Sequence, residues 1–560
     1  MKKLKVGFLI NNFDVDFYTL DLIKHVKKSD LYFDPVIIHG YKKNKLFFEK
    51  LKWIKGFGLL KGIDRIIIIL TLRLIKFIEI FNVKKKFPNY IKRYNLKNQI
   101  NFRELKVDGV WSKSKLYLEF GKKELEIISK EDFDCIIRCG SGILRGQILD
   151  LPKFGILSFH HGDNRVNRGG PSGFWEVMKN EPSSGFIIQK LTNQLDAGDI
   201  LLRGNIMTAN FFTLNHAQLL EKSHFFLKKI LDDIAFTGRM EIEKKTVLYS
   251  KNILKINRPI ILIRYLFKIL FPIIFKNISK YFISKSIVWS VAYKKKARNQ
   301  NFFDSTDNYK KINNPKNRFF ADPFVFKFKE RNIIFVEDYS FKKGKGNISA
   351  IELNEDENKF LGSVLEEDFH LSFPYVFQND DDIYMIPETS QINEIRLYKC
   401  TQFPKIWKLE KILMKNISAA DTMLIKKDLN WFMLTNICSS SIGDHQSELH
   451  IFYNDNFIST DWKPLKQGNP VIFDSNKARN GGIFYLNNKI YRVNQIHGKA
   501  HYGRSFGINE LITINKNTYI EKRIKNIEPN FIKKIVGTHH FNANLNYSVI
   551  DYAQKIYSIK

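Results

Sequence analysis

The sequence has few cysteines and no paired cysteine motif. Four cysteines occur in 560 residues, and none of them forms a C-x-x-C pair. Disulfide scaffolds are short secreted chains dense in cysteine, so that class is excluded and a reducing compartment is predicted. The length is enough for about two to four domains, each with a core of its own.

Long apolar runs are also missing. In residues 56–81 the longest uncharged run is 66–72, whereas a membrane-spanning helix needs about 20 residues. A second apolar stretch, residues 258–280, is interrupted by basic residues and broken by Pro272. Both stretches are basic and amphipathic. They predict helices that lie on an anionic membrane surface or, alternatively, helices that pack against the rest of the fold.

A cleavable leader is not predicted. The chain begins Met1-Lys2-Lys3 and passes directly into a short apolar strand, with charged residues soon after it and no cleavage site. The sequence therefore predicts a cytoplasmic protein. If the two basic stretches bind lipid, the protein attaches peripherally to the inner face of the membrane.

Acidic residues are outnumbered. Lys and Arg total 90 against 57 Asp and Glu, which gives a net charge of +33. Such a charge suits an anionic partner such as a nucleotide sugar, a lipid phosphate or a membrane surface. The lysines are spread over the whole chain, however, and this distribution equally fits a general Lys, Asn and Ile bias in composition.

No G-x-G-x-x-G motif follows the first predicted strand, so a nicotinamide site is not predicted. The N-terminal part instead has the pattern of a Rossmann-like α/β fold. Residues 6–10 and 35–38 are predicted strands that flank a helical stretch at 20–26, and 134–138 is a further buried strand.

The densest cluster of polar residues and glycines lies at residues 155–199. A predicted strand ends at His160, a Gly-rich loop and a short helix follow, and a second strand leads to a turn that contains Asp196. Open α/β sheets hold ligands at the ends of their strands. We therefore expect His160 and Asp196 to face each other across a cleft.

A metal site is not predicted in this segment. His160 and His161 are adjacent on an extended strand, so their side chains point to opposite faces, and no Cys or Glu cluster completes a ligand set.

Residues 1–210 resemble the folate-dependent formyltransferases, a family that acts on methionyl-tRNA, glycinamide ribonucleotide and amino sugars. The resemblance rests on the motifs 158–160, 168–171 and 195–198, and on the loop 139–144. It implies 10-formyltetrahydrofolate as the donor, with Gly142, Ile143 and Leu144 on the folate side. It also implies that His160 stabilises the oxyanion and moves protons while Asp196 orients His160. We place Asn164 and Arg168 on the substrate side.

Ser158 departs from the family pattern, which has Asn at this position. A Ser hydroxyl donates from a shorter arm, and losing an oxyanion donor typically costs a few kcal/mol. Asn164 or Asn167 could supply the missing amide. Two alternatives therefore remain: formyl or related acyl transfer, or a fold whose reaction has changed or been lost.

The C-terminal half has a weak repeat with a period of about 50 to 60 residues. Paired strands are predicted at 322–326 and 332–337, and again near 373–388, 421–434 and 481–493. A fifth unit near 540–552 is predicted to close with the strand at Trp289. One four-stranded unit per repeat is typical of a five-bladed β-propeller.

This half resembles the propellers of glycoside hydrolases whose repeats start with Ala-Asp-Pro, and the N-terminal domain of plant glucosamine inositolphosphorylceramide transferases. The motifs are 320–323, 370–375, 386–388 and 478–482. Four carboxylates begin or follow the predicted central strands, at positions that surround the central funnel of a propeller: Asp322, Glu388, Asp421 and Glu448. Paired carboxylates suit glycoside hydrolysis, sugar binding or the capping of turns, and the sequence leaves all three open.

The sequence predicts a Rossmann-like formyltransferase domain at 1–250, a basic amphipathic linker at 251–285 and a five-bladed propeller at 286–560. The expected function is transfer of a formyl or related acyl group to an amino sugar on a nucleotide or lipid carrier in surface-polysaccharide biosynthesis. The alternative is a glycan-binding or glycan-transferring protein that has lost folate chemistry. A nucleic-acid partner is not expected, because a propeller stands where the tRNA enzymes carry a small barrel.

Overall fold

The computed structural model describes residues 3–40, 59–112, 116–140, 142–163, 165–166, 168–194, 198–243, 253–279, 283–296, 308–354, 357–440 and 443–559. The chain forms two compact units, Met1–Ile274 and Phe275–Lys560. The first is α/β and the second is built from β-strands, which confirms the predicted fold class.

The main sheet of the first unit has the order β13-β12-β10-β8-β1-β3-β5 among its described strands. The neighbours from β10 to β5 pair in parallel, and β12 and β13 are antiparallel. Strands β1 and β8 are fully buried and, apart from Arg138 at the end of β8, apolar, as expected for the centre of a parallel sheet that helices cover. The strands are β1 Val6–Leu9, β3 Val36–His39, β5 Arg103–Lys106, β8 Cys135–Arg138, β10 Ile156–His160, β12 Ser183–Lys190 and β13 Asp199–Met207.

Three small sheets surround this core. Strand β2 (Asp14–Asp16) pairs with β4 (Arg93–Asn95), and β11 (Arg168–Gly169) pairs with β14 (Ile253–Leu254). The third small sheet consists of β6 Gly109–Trp111, β7 Tyr117–Phe120 and β9 Ile143–Leu144.

The described helices are α1 Phe17–Lys28, α2 Leu59–Lys86, α3 Lys122–Ser129, α4 Phe174–Lys179, α5 Phe212–Thr237, α6 Pro259–Tyr265 and α7 Phe271–Ser279. Asp16 caps α1 by accepting a hydrogen bond from the Thr19 N–H at 2.8 Å. A π-helical turn, Leu266–Leu270, joins α6 to α7. Short 3₁₀ turns lie at Leu96–Asn98, Gln147–Asp150 and Ser390–Ile392.

The boundary between the units divides the predicted linker, residues 251–285. Its first described strand, β14, pairs with β11, and Tyr265 of α6 donates a hydrogen bond to the Glu79 carboxylate of α2. Both contacts lie within the first unit. Of the helices within the described ranges, none is long and apolar enough to cross a membrane.

The second unit is the predicted five-bladed propeller. Each of the first four blades runs from an inner to an outer strand in chain order. Blade 1 contains β17 Arg318–Phe328, β18 Arg331–Ser340, β19 Lys345–Leu353 and β20 Asn358–Leu365, and blade 2 contains β21 Ser372–Asn379, β22 Asp382–Glu388, β23 Glu394–Gln402 and β24 Ile406–Lys415. Blade 3 contains β25 Ala419–Lys427, β26 Asn430–Ile437, β27 Glu448–Asn454, β28 Lys463–Pro464 and β29 Ile472–Phe473. Blade 4 contains β30 Asn480–Leu486, β31 Lys489–Gly498, β32 His501–Ile514 and β33 Tyr519–Ile527.

Blade 5 joins the two ends of this unit. It contains β34 Ile535–Gly537, β35 Phe541–Ala543 and β36 Tyr547–Ile559, together with β15 Ile283–Lys295 and β16 Lys310–Lys311 from the start of the unit. Strand β15 pairs with β36 along its whole length, from Ile283–Ile559 to Lys295–Tyr547. The closure predicted through the strand at Trp289 is therefore confirmed.

Neighbouring blades are also linked around the ring. Tyr375 donates to the Leu424 carbonyl between blades 2 and 3, and the Asn480 N–H donates to Asn436 Oδ1 at 2.8 Å between blades 3 and 4. The Val325 N–H donates to Asn542 Oδ1 at 2.9 Å, which connects blade 1 to blade 5.

Candidate functional site

Loops from three parallel strands meet at one edge of the first unit's sheet. Because β1, β8 and β10 are parallel, the residues after them lie at the same edge. A Cβ added to Gly140, after β8, would lie 2.2 Å from Asn11 Oδ1, after β1, so these two loops are in close contact. His160 ends β10 at this edge. The sheet therefore places the predicted catalytic histidine and the predicted folate loop on its ligand-binding side.

The predicted folate loop is held firmly in place. Gly142 has φ +99°, and a Cβ there would lie 2.5 Å from Trp111 Cη2. Ile143 and Leu144 form β9, which pairs in parallel with Tyr117 and Leu118. Leu144 is buried in the core, so this residue can offer a ligand its backbone rather than its side chain.

Ser158 and His160 share one face of β10, because they are two residues apart on a strand. Both are half-buried, and the Ser158 hydroxyl lies 3.5 Å from the Phe159 carbonyl, a long and weak interaction. Ser158 therefore lies beside His160, as the resemblance to formyltransferases implies.

Four residues that the sequence suggested for this site cannot be placed next to His160. Asp196 and Asn164 lie outside the described residues, as does Asn167. Arg168 lies on β11, where its backbone pairs with Ile253, and its side chain is outside the description. The facing arrangement of His160 and Asp196 thus stays a prediction.

His161, the residue after His160, packs against side chains of the first unit. His161 Nε2 lies 2.9 Å from Ser223 Oγ, and its ring stacks on Phe159. Burial and the nearby imidazoles of His216 and His224 hold the pKa of His161 well below its ordinary value, so this ring is neutral. We therefore assign His161 a packing role.

Asp163 is engaged by two arginines. Its carboxylate accepts from Arg165 Nη2 at 2.7 Å and from Arg203 Nη1 at 2.7 Å. Burial opposes ionisation, but the Arg165 hydrogen bonds and the Arg203 charge hold the pKa of Asp163 below its ordinary value. This ion cluster fixes the beginning of the Gly-rich loop to β13.

The inner strands of the propeller share one irregularity. In each of the first four blades, two residues of the inner strand oppose one residue of the second strand, at 322–323, 373–374, 421–422 and 481–482. Asp322, Phe373 and Asp421 have φ between +46° and +50° at these bulges. Left-handed backbone is costly for such residues and clusters at functional sites.

The second strands carry polar residues at the matching position. The residue just before each bulge pairs with Glu337, Glu388, Asn436 and Asn494 in blades 1 to 4. Asp322 and Asp421, predicted from the sequence, are the first bulge residues of blades 1 and 3, whereas Glu388 lies on the second strand of blade 2, opposite the residue before the bulge. Glu337 holds in blade 1 the position that Glu388 holds in blade 2, although it was not predicted as a site residue. Burial and the neighbouring Asp322 and Glu388 charges raise the pKa of Glu337 well above its ordinary value.

Arg479 links two of these carboxylates. Its Nε lies 2.7 Å from Asp421 Oδ2, and its Nη2 lies 3.6 Å from Glu388 Oε2. The guanidinium also lies over the Tyr502 ring, 5.1 Å from its centroid. Burial opposes ionisation of Glu388, but the Arg479 charge keeps its pKa below the ordinary value.

His539 of blade 5 bridges two other carboxylates. Its Nδ1 lies 2.6 Å from Asp551 Oδ2, and its Nε2 lies 3.3 Å from Asp322 Oδ1. Burial disfavours the imidazolium, but the Asp551 and Asp322 charges raise the pKa of His539 to about 10. The same contact holds the pKa of Asp322 at about 2 despite its burial. The ring therefore combines Asp322 and Glu388, whose pKa values are lowered, with Glu337 and Asp421, whose pKa values burial raises well above their ordinary range, and with the buried cations Arg479 and His539.

Asp322, His539 and Asp551 are also the one group within the described ranges whose atoms are close enough to hold a metal ion. This group does not include His160, His161 or Asp163. The distances of 2.6 Å and 3.3 Å from the His539 ring nitrogens to the two carboxylates are those of an imidazolium that bridges Asp551 and Asp322.

Glu337, but not His539, could have been found from the sequence by closer comparison of the repeats. Glu337 ends the predicted strand 332–337 as Glu388 ends the predicted strand pair one repeat later, and Arg479 lies within the motif 478–482. His539 precedes the inner strand of blade 5, for which no Asp-Pro marker exists. Glu448, which the sequence suggested for the ring, instead begins the third strand of blade 3, where it accepts a hydrogen bond from Ser439.

Comparison with known proteins confirms both resemblances. Residues 299–550 match the family model described as glucosamine inositolphosphorylceramide transferase 1, N-terminal. Glucosamine inositolphosphorylceramide transferase 1 of Arabidopsis thaliana is 32% identical over 212 residues, which cover 37% of this chain and 27% of that protein. The chain thus spans about a quarter of the length of this relative.

The other similarities are more distant. Methionyl-tRNA formyltransferase of Clostridium beijerinckii is 29% identical over 108 residues, 19% of this chain and 35% of that protein. The crystal structure of a thermostable family-43 glycoside hydrolase aligns with a TM-score of 0.32 and 18% identity, covering 43% of this chain and 92% of that one.

Proposed function

We propose that this protein is a glycan-modifying transferase that moves a formyl or related acyl group to an amino sugar on a nucleotide or lipid carrier, in surface-polysaccharide biosynthesis. The observation that carries this proposal is the position of Ser158 and His160 on one face of β10, at the ligand-binding edge of the sheet. The similarity to methionyl-tRNA formyltransferase supports the same chemistry.

The residues at this edge fit 10-formyltetrahydrofolate as the donor. The segment from Gly142 to Leu144 packs against Trp111 and pairs with β7, so its position is fixed. A folate could bind against this segment. When bound, this donor supplies the formyl carbon that the sugar amine attacks. His160 would donate a hydrogen bond to the formyl oxygen and take part in moving the amine proton, and Asp196 would orient His160.

We assign the propeller to binding the glycan part of the acceptor. Its centre presents Asp322, Glu388 and Asp421 together with Arg479, a set that can pair with sugar hydroxyls and with a phosphate. The name of the plant relative contains an amino sugar and a phosphorylated lipid, and that protein matches this half of the chain. These observations support an acceptor of similar chemistry.

The test is to incubate the protein with 10-formyltetrahydrofolate and a UDP- or dTDP-linked amino sugar. We expect tetrahydrofolate release together with an N-formyl sugar identified by mass spectrometry. In a folded His160→Ala variant we expect both products to be absent. Near-normal turnover by His160→Ala would contradict the assignment of this residue.

A second candidate function is favoured by Ser158. Because the Ser hydroxyl reaches less far than the family's Asn amide, the reaction could have been replaced by glycan binding or glycan transfer with no folate. Equilibrium binding separates the two functions. A protein that binds amino-sugar glycans but not the folate at millimolar concentration would have this second function.

A further inference from the structure

Helix α2 carries an unusual stripe of exposed apolar side chains. Its members are spaced by four, three, four, three and four residues, and each is between 40% and 65% exposed: Ile63, Ile67, Leu70, Leu74, Phe77 and Phe81. Residues at this spacing lie on one face of a helix. At the rise of an α-helix this stripe is about 27 Å long. It is a contiguous apolar patch, whereas the exposed apolar residues of an ordinary protein surface are scattered singly.

The opposite face of α2 is fixed inside the first unit. Ile68, Ile75 and Val83 are buried there, and Glu79 on the same face accepts hydrogen bonds from the Thr213 N–H and hydroxyl, both at 2.8 Å. Tyr265 donates to the second oxygen of Glu79. Because this buried network holds α2, the helix cannot rotate to bury its apolar stripe without leaving the Glu79 carboxyl unpaired.

The neighbouring segment 259–274 repeats the arrangement. Its inner side is buried through Leu262 and Tyr265. Its outer side exposes five large apolar residues: Ile260, Ile263, Phe267, Phe271 and Ile274. The hydrogen bond between Tyr265 and Glu79 joins this segment to α2, so the two exposed apolar faces belong to adjacent helices.

The charges around these faces are almost all positive. Residues 258–279 contain four basic residues and no acidic one. The last turn of α2 is Lys84-Lys85-Lys86, and of its two acidic residues Glu79 is buried. A basic rim around exposed Phe, Leu and Ile is the composition of helices that lie in the interface of an anionic bilayer.

We propose that α2 and residues 259–274 form a docking surface for a bilayer that contains anionic phospholipid. Phe77, Phe81 and Phe267 enter the boundary between headgroups and acyl chains, while the lysines contact lipid phosphates. A second copy of the chain is the less suitable occupant, because pairing two such surfaces would bring their basic rims together. This inference does not depend on the reaction at His160.

The test is flotation of the full-length protein with vesicles of phosphatidylcholine and phosphatidylglycerol at low salt. We expect binding that weakens as salt is raised above about 0.1 M, where the Debye length is near 10 Å. Phe77→Ser combined with Phe81→Ser is expected to lower the bound fraction about tenfold or more. The matched control is Phe236→Ser, which removes a similarly exposed phenylalanine from the end of α5 and should leave binding unchanged.

The charge contribution is tested separately. Replacing Lys84, Lys85 and Lys86 by Gln should weaken binding to anionic vesicles, whereas Lys122→Gln with Lys123→Gln on α3 should not. The proposal is overturned if the wild-type protein does not float with anionic vesicles, or if the Phe77 and Phe81 substitutions leave flotation intact. It is also overturned if light scattering shows a dimer in solution that these two substitutions dissociate.

Discussion

Arg479 lies between two buried carboxyl groups at the centre of the propeller. It contacts Asp421 and Glu388, and all three side chains are nearly excluded from solvent. Removing one partner of a buried ion pair leaves an uncompensated charge and costs about 3–5 kcal/mol. We expect Arg479→Met to lower the free energy of unfolding by about this amount, measured by urea denaturation of the second unit's transition.

The matched control is Arg331→Met. Arg331 contacts Glu352 at 2.6 Å, but its own side chain is exposed. Exposed ion pairs contribute about 0–1 kcal/mol. If Arg479→Met and Arg331→Met lowered the free energy of unfolding equally, the central network would not stabilise the propeller.

His539 makes the stability of the propeller depend on pH. Its pKa is raised from 6.5 to about 10 by Asp551 and Asp322, so protonation favours the folded state. This stabilisation is fully present below pH 6.5 and is lost as the pH rises through about 10. We therefore expect the free energy of unfolding to fall over this range, and the fall to be smaller in His539→Gln. An identical pH dependence in both proteins would contradict the assigned ion bridge.

At the scale of strands, the bulges that aim residues at the centre of the propeller depend on close backbone approach. Gly482 has φ +120°, and a Cβ there would lie 2.1 Å from the Phe541 carbonyl oxygen of blade 5. We expect Gly482→Ala to destabilise the second unit by several kcal/mol, because it combines left-handed strain of about 1 kcal/mol with a backbone clash.

Gly468→Ala is the control for strain without a clash. Gly468 has φ +82°, and a Cβ there has no neighbour within 4 Å. Gly468→Ala should therefore lower the free energy of unfolding by only about 1 kcal/mol. The midpoint temperatures of thermal unfolding of the two variants are compared. Equal midpoint temperatures would contradict the expected clash, because they would mean that blades 4 and 5 can move apart at this bulge without loss of stability.

Many strands of both units could be predicted from the sequence because their composition follows their burial. Residues 135–137 are apolar since β8 is buried on both faces, and the repeat from 322 to 493 shows the inner two strands of four blades. The bulges could not be predicted. Two residues opposing one is a property of the pairing, which Asp322-Pro323 and Phe373-Pro374 mark by a proline but Asp421-Thr422 does not.

The candidate sites were predicted in part. His160 and Ser158 were expected at the end of a strand and lie there, because strand alternation fixes which residues share a face. His539 could not be predicted, since its contact with Asp322 arises from ring closure between blades distant in sequence. Glu337 lies in the same blade as Asp322, opposite Ala321, so the repeat does carry a signal for it. Arg479 lies within the motif 478–482, but its pairing with Asp421 across 58 residues has no local signal.

On the scale of the whole molecule, one chain combines an α/β unit, for which we propose a ligand site at the ends of its parallel strands, and a propeller with charged residues at its centre. Its net charge of +33 is consistent with acceptors and surfaces that carry phosphate. The basic apolar surface of α2 and residues 259–274 gives this charge a specific location, whereas the remaining lysines are widely spread.

The central claim is that the edge formed by β1, β8 and β10 carries out formyl transfer with Ser158 in place of Asn. The most direct measurement is single-turnover kinetics with 10-formyltetrahydrofolate and an amino-sugar acceptor, comparing the wild-type protein with Ser158→Asn. Folate binding is measured separately. We expect both proteins to fold and to bind the folate, and Ser158→Asn to transfer the formyl group tens-fold faster, because the longer amide adds a donor worth up to a few kcal/mol. Absence of folate binding by both proteins at millimolar concentration would contradict the claim.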